Sequence, residues 1–224
     1  NDSGLIASHD RGATWGRFGA GFSSRSSRQI TFDPADARRI YVGSFNGGGL
    51  NVSADGGRSW TSRRVGSTAS YVWSTAIDRR NGAVFAGTVG EGLWRSTDGG
   101  QNFTRLGTAT LPDTRTIAAD GDRILAGGRL GIHRSTDGGA TWTQTLTVFV
   151  SNITVDPRDA TLVYAATQTG GVLRSRDGGA TFTAINSGLT SLRTSRGNGV
   201  AIDPRSSNTL YVGTEGAGVF KSTD

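Results

Sequence analysis

Apolar and polar positions alternate in short runs along the whole chain, and each run closes on a turn residue. Five runs end in Asp: Ile30-Thr-Phe-Asp33, Thr75-Ala-Ile-Asp78, Ile117-Ala-Ala-Asp120, Ile153-Thr-Val-Asp156 and Val200-Ala-Ile-Asp203. Three of them continue into Pro34, Pro157 and Pro204. Period-two alternation ended by an Asp or Asp-Pro turn predicts a short β-strand, here the innermost of a sheet. A second strand is predicted after each, at Arg39-Ile-Tyr-Val-Gly43, Ala83-Val-Phe-Ala-Gly87, Arg123-Ile-Leu-Ala-Gly127, Leu162-Val-Tyr-Ala-Ala166 and Thr209-Leu-Tyr-Val-Gly213. Third strands follow short, mostly Gly-rich turns and begin at Gly49, Gly92, Gly131, Gly171 and Gly218.

Each third strand runs into one repeated phrase. Ser8-His-Asp10-Arg-Gly12-Ala-Thr14-Trp15 returns as Ser53…Asp55…Gly57…Trp60, Ser96…Asp98…Gly100…Phe103, Ser135…Asp137…Gly139…Trp142, Ser175…Asp177…Gly179…Phe182 and Ser222-Thr-Asp224. The aromatic residue opens a fourth strand. Successive Asp residues stand 45, 43, 39, 40 and 47 positions apart, a period that holds one four-stranded propeller blade. No stretch shows sustained 3.6-residue periodicity with caps. The expectation is therefore an all-β chain, a β-propeller of four-stranded blades, about five blades' worth.

Both ends fall within third strands, Gly4-Leu-Ile-Ala-Ser8 and Gly218-Val-Phe-Lys-Ser222. Closing a five-blade ring would leave one third strand surplus. Residues 1–224 are accordingly expected to be a single propeller domain cut at both ends from a larger ring. The lack of an initiator Met or signal peptide agrees with a mature form or a piece of something longer.

Composition sharpens this picture in three places. The 35 Gly residues supply turns, whereas only 4 Pro interrupt strands. Without Cys there is neither a disulfide framework nor thiolate chemistry, and no apolar run is long enough to span a membrane. The net charge is +6, and every basic residue except Lys221 is Arg, a bias that a GC-rich genome would also scatter.

The repeated turn explains itself chemically. An Asp carboxylate accepts turn N–H groups, Gly permits positive φ, and a Ser or Thr hydroxyl closes the network. Asp10, Asp55, Asp98, Asp137 and Asp177 are thus assigned a structural role. Asp-Gly-Gly lacks the alternating oxygen ligands of a calcium loop, and His9 with His133 makes a poor zinc site, so neither a metal nor a cofactor is expected.

Ser-x-Asp-x-Gly-x-Thr-Trp resembles the Asp-box of the bacterial neuraminidase repeat, found in sialidases, sortilin-type receptors, xyloglucanases and photosystem II assembly factors. The resemblance covers nearly the whole chain and implies a propeller, but that fold hosts enzymes, receptors and assembly proteins alike. It also implies a periplasmic or extracellular location, since the bacterial members are mostly exported.

Function is expected on the rim opposite these turns, where the second-to-third and fourth-to-first connections differ between blades. That rim carries Arg25, Arg28, Arg63, Arg64, Arg115, Arg129, Arg193 and Arg196 against Asp113, Glu91 and Glu215. Phe22, Tyr71, Trp73 and Phe149 interleave with them. Arg28, Arg64, Tyr71, Trp73, Arg115, Arg129, Arg193 and Arg196 form the expected binding set. The first reading is a non-catalytic scaffold that docks a protein partner on this basic, aromatic face. The alternative is a glycan-binding propeller or a glycoside hydrolase, sialidase-like or xyloglucanase-like.

For a sialidase, the resemblance would bring together Arg28, Arg115 and Arg196 with Tyr71, yet the family's Arg-Ile-Pro segment is absent and the only Glu residues are Glu91 and Glu215. No catalytic residue is therefore assigned. Nucleic acid is disfavoured because the charge is spread through the repeats without a recognition motif, and membrane insertion has no support.

Overall fold

The computed structural model describes residues 5–17, 19–22, 24, 26–45, 49–67, 71–107, 111, 113–191, 193 and 199–224. Two compact units divide the chain, Asn1–Pro112 and Asp113–Asp224. Among the described residues every regular element is a strand, and no helix is long and apolar enough to cross a membrane.

The first unit opens with a two-stranded sheet of β1 (Ile6–Ala7) and β2 (Gly16–Arg17). A four-stranded sheet follows, made of β3 (Ser27–Phe32), β4 (Ile40–Ser44), β5 (Leu50–Ser53) and β6 (Thr61–Arg63) in that order. The next is β7 (Tyr71–Ile77), β8 (Val84–Val89), β9 (Gly92–Ser96) and β10 (Thr104–Leu106). The second unit repeats the pattern with β11 (Thr116–Asp120), β12 (Arg123–Gly128), β13 (Gly131–Ser135) and β14 (Thr143–Leu146). It continues with β15 (Val150–Val155), β16 (Val163–Thr167), β17 (Gly171–Ser175) and β18 (Thr183–Ala184). A three-stranded sheet of β19 (Val200–Asp203), β20 (Ser206–Thr214) and β21 (Gly218–Ser222) ends it. All pairings within these sheets are antiparallel between sequence neighbours, the up-and-down meander of propeller blades.

In the four four-stranded sheets the second strands are buried on both faces, which is why they read as unbroken apolar runs. Ile40 and Val42 of β4 pack with Trp60 against Leu5 and Phe22 on one side. Tyr41 and Leu50 pack with Val72, Val84 and Ala86 of the following sheet on the other. The second unit is built likewise, with Leu125 and Ile132 against Val150, Ile153 and Val163. Tyr164, Ala166 and Val172 then meet Val200, Leu210 and Val212. Burial at roughly 25 cal/mol per Å² of apolar surface makes these inter-sheet seams the main stabilising element.

Hydroxyl groups clamp the innermost strands across the seams. Thr31 Oγ1 lies 2.6 Å from Thr75 Oγ1, Ile153 N–H donates to Thr116 Oγ1 at 2.9 Å, and Thr154 Oγ1 donates to the Val200 carbonyl at 2.8 Å. Four of the five innermost strands then stop at their Asp as expected, because the carboxylate accepts the N–H two residues on, while Asp120 accepts from the Arg123 guanidinium at 3.2 Å. Ala35, Arg80, Arg158 and Arg205 donate to Asp33, Asp78, Asp156 and Asp203 at 2.8, 2.8, 2.8 and 2.9 Å.

The repeated Ser-x-Asp turn has one geometry in all five complete copies. In the fourth, Ser135 Oγ donates to Asp137 Oδ1 at 2.8 Å and accepts the Gly139 N–H at 2.9 Å. Asp137 in turn accepts the Thr141 N–H at 2.9 Å and the Thr141 hydroxyl. Gly138 and Gly139 sit at φ +69° and +96°, a region open to Gly at no steric cost. In the first copy Arg11 takes that left-handed conformation instead, at φ +59°. The hydroxyl and backbone donors hold the Asp55 and Asp137 carboxyls at about 2, with the Ser59 and Thr141 hydroxyls the largest causes. Asp10, Asp98 and Asp177 are lowered further in the same way.

Four apolar side chains depart from the pattern of their equivalents. Ile30 and Phe32 on β3 are 50% and 59% exposed, although Thr75, Ile153 and Val200 at the position of Ile30 are buried. Tyr211 and Val219 in the last sheet are 40% and 74% exposed, whereas Tyr41, Phe85, Leu125 and Tyr164, and Leu50, Leu93, Ile132 and Val172, are buried. One face of the first complete sheet and one face of the last are thus bare over these positions.

Candidate functional site

A register shift recurs at the same place in three innermost strands. Ser27 pairs with Ser44 and Gln29 with Gly43, leaving Arg28 as the extra residue. Trp73 is extra between Val72 and Ser74, and Ser151 between Val150 and Asn152. All three lie five positions before the Asp that ends the strand, where the remaining four-stranded sheet has Arg115. Such bulges re-aim a side chain at the end of a strand and are over-represented beside functional sites. Here they fall at the loop rim, opposite the Ser-x-Asp turns.

In the first unit two bulges meet. The Arg28 guanidinium lies 4.4 Å from the Trp73 ring centroid and 4.9 Å from that of Phe45. Phe45 stacks on Tyr71 at 4.4 Å with 26° between planes, and meets Trp73 edge-on at 6.1 Å and 85°. Phe45 and Trp73 are half-buried while Arg28 and Tyr71 are exposed, so the group forms a ledge with an aromatic base and a cationic, wet surface.

The second unit uses its charges differently. Asp113 accepts Arg115 Nε at 2.9 Å and faces Arg129 Nε at 3.2 Å. Arg115 and Asp113 are nearly enclosed and Arg115 lies over Phe149 at 5.3 Å, whereas Arg129 is 70% exposed. One carboxylate is therefore shared by two guanidinium groups, leaving a net positive charge on Arg129's side.

Of the expected binding set, the structure brings Arg28 onto Trp73, links Tyr71 to both through Phe45, and joins Arg115 to Arg129 through Asp113. Arg64 stands apart, its Nη2 donating to the Ser67 carbonyl at 2.7 Å, while Ser67 N–H donates to Glu91 at 2.8 Å. Arg193 is held by its backbone, which accepts the Glu215 N–H at 2.9 Å. Arg25 and Arg196 lie outside the described residues. Phe45, outside the expected binding set, proves to be the centre of the ledge. Aligning the strand-ending Asp residues would have placed Arg28, Trp73, Arg115 and Ser151 at one position.

Tandem antiparallel meanders, paired face to face with loop-rim side chains at bulged inner strands, define a β-propeller. Comparisons with known proteins agree. A xyloglucanase from Paenibacillus sp is 27% identical over 83% of this chain and 24% of its own length. A GH74 enzyme of Niastella koreensis superposes with a TM-score of 0.76 at 22% identity, over 100% of this chain and 41% of that one. The extracellular domain of a putative hybrid two-component system of B. thetaiotaomicron gives a TM-score of 0.76 at 16% identity, over 99% and 31%. No family model matches the chain. The chain spans about a quarter of the curated relative's length.

Proposed function

We propose that this chain is a non-catalytic, glycan-binding portion of a larger β-propeller, and that the Arg28–Phe45–Tyr71–Trp73 ledge holds a chain of the xyloglucan class. The ledge is the observation that carries the reading. Aromatic rings offer flat apolar faces to sugar rings, and a planar guanidinium offers a fork of donors to their oxygens. Similarity to a xyloglucanase over 83% of the chain supports the ligand class. Binding is favoured over hydrolysis because glycoside cleavage needs two carboxyl groups facing one bond. Asp113 is instead shared by two Arg side chains, and Glu91 accepts the Ser67 N–H.

The repeated turn is read as an Asp-box on the strength of its uniform hydrogen bonding. The bare positions Ile30, Phe32, Tyr211 and Val219 support further blades against those faces. A polysaccharide ligand agrees with a periplasmic or extracellular location. The reading first expected, a protein partner, keeps one supporting observation: Trp, Tyr and Arg in contact are the residue types that dominate protein interfaces.

Affinity electrophoresis in xyloglucan gels tests the proposal. The protein is retarded, and Trp73→Ala weakens binding at least tenfold, whereas Trp142→Ala on the opposite rim does not. Unretarded wild-type protein, or Trp73→Ala binding as tightly, overturns it. A stoichiometric protein companion from the source, lost in Trp73→Ala, would then establish the protein-partner reading.

A further inference from the structure

The residue before each turn Ser in the third strand is Arg95, Arg134, Arg174 or Lys221, but Val52 in the first complete sheet. In one of these sheets the long cation bridges to the next turn. Arg134 Nε crosses the seam and donates to the Gly178 carbonyl of the next turn at 3.0 Å. Val52 cannot reach, and the matching Gly99 carbonyl is taken by the Tyr41 hydroxyl at 3.2 Å. A cavity of about 240 Å³ remains, walled by Arg39, Tyr41, Val52, Arg63, Asp98 and Gln101 among others.

A second departure from the repeat sits in the same cavity. Arg63 pairs with Leu50, the place held by Leu106 opposite Leu93 and by Leu146 opposite Ile132. This half-buried guanidinium has no hydrogen-bond or ion-pair partner among the described residues. Arg63 therefore lies against the neighbouring sheet beside the Asp98 turn, and not only on the loop rim where the sequence placed it.

We infer that this cavity binds a single sugar carboxylate, a uronic acid, with Arg63 as the principal contact. A free planar guanidinium matches a carboxylate through two parallel hydrogen bonds. Arg39 adds positive charge, tempered by Asp36 at 3.9 Å. Asp98 keeps its negative charge, but its oxygens already accept from Ser96, Gln101 and Asn102, so it offers no further acceptor and the carboxylate is expected on the Arg63 side of the cavity. The volume lies below the roughly 300–1,000 Å³ of sites for drug-sized ligands, which suits one monosaccharide unit. The site is separate from the ledge and does not depend on the ligand proposed there.

Titrating the ¹⁵N-labelled protein with glucuronate, and in parallel with glucose, tests the inference. Glucuronate shifts the Gly99 and Gln101 amides saturably and glucose does not. Arg63→Leu, which installs the side chain found in the other sheets, weakens the response at least tenfold. Val52→Arg, which fills the cavity with the repeat's own residue, does the same. Absent shifts, equal shifts with glucose, or an unchanged response in both variants overturns it.

Discussion

Removing one hydroxyl from two copies of the same turn should have unequal consequences. In Ser135→Ala the Gly139 N–H loses its acceptor in a buried setting, where the original bond is 2.9 Å long. An unpaired buried N–H costs about 1–3 kcal/mol. The donated bond to Asp137 is lost as well, but that carboxylate is exposed and water replaces the donor. The expected destabilisation is about 2 kcal/mol. Ser8→Ala removes the equivalent bond to Gly12 in an exposed turn, and is expected to cost only about 0.5 kcal/mol, the lower end for a net hydrogen bond. Urea unfolding gives the midpoint change for each variant, and native-state amide exchange locates it. Exchange at Gly139 accelerates about thirtyfold in Ser135→Ala, since 1.4 kcal/mol is a factor of ten. Equal effects in the two copies, or a loss below about 0.5 kcal/mol at Ser135, would refute burial of the acceptor as the deciding term.

Other outcomes follow from the same geometry. Asp55 and Asp137 have folded-state values near 2, below the ordinary 3.8, so their stabilisation is complete above about pH 4 and lost as pH falls toward 2. Urea midpoints measured from pH 7 downward should hold until about pH 4 and then drop; a drop already complete by pH 5 would contradict this. Arg11→Gly relieves the left-handed strain of the first turn and should leave stability unchanged or raise it by up to about 1 kcal/mol in the same assay. Gly128→Ala drives a Cβ into the Asp113 carbonyl and should cost more than about 2 kcal/mol, whereas Gly16→Ala, with open space around it, should be near neutral by thermal melting.

The blades were legible in the sequence because two periodicities coincide there. Alternation within a strand marks each element, and the turn chemistry of Ser, Asp and Gly fixes where sheets end; Asp33, Asp78, Asp156 and Asp203 close their strands as the pattern implies. The site was legible only as residue types. Nothing in the alternation announces that Arg28 and Trp73 occupy bulges, since a bulge is a property of pairing between strands. Asp113 as the shared partner of Arg115 and Arg129 was equally invisible, because the contact joins a loop to a hairpin turn. The cavity at Val52 needed the structure to show that Arg134, at the same place in another sheet, spans the seam.

The five Trp side chains, at 15, 60, 73, 94 and 142, give the most direct test of the central claim. Their indole N–H signals should be followed while xyloglucan oligosaccharide is added. The Trp73 signal is predicted to shift saturably, with those of Trp15, Trp60, Trp94 and Trp142 unmoved. Silence at Trp73, or a response confined to the other four, would contradict a glycan site on the Arg28–Phe45–Tyr71–Trp73 ledge.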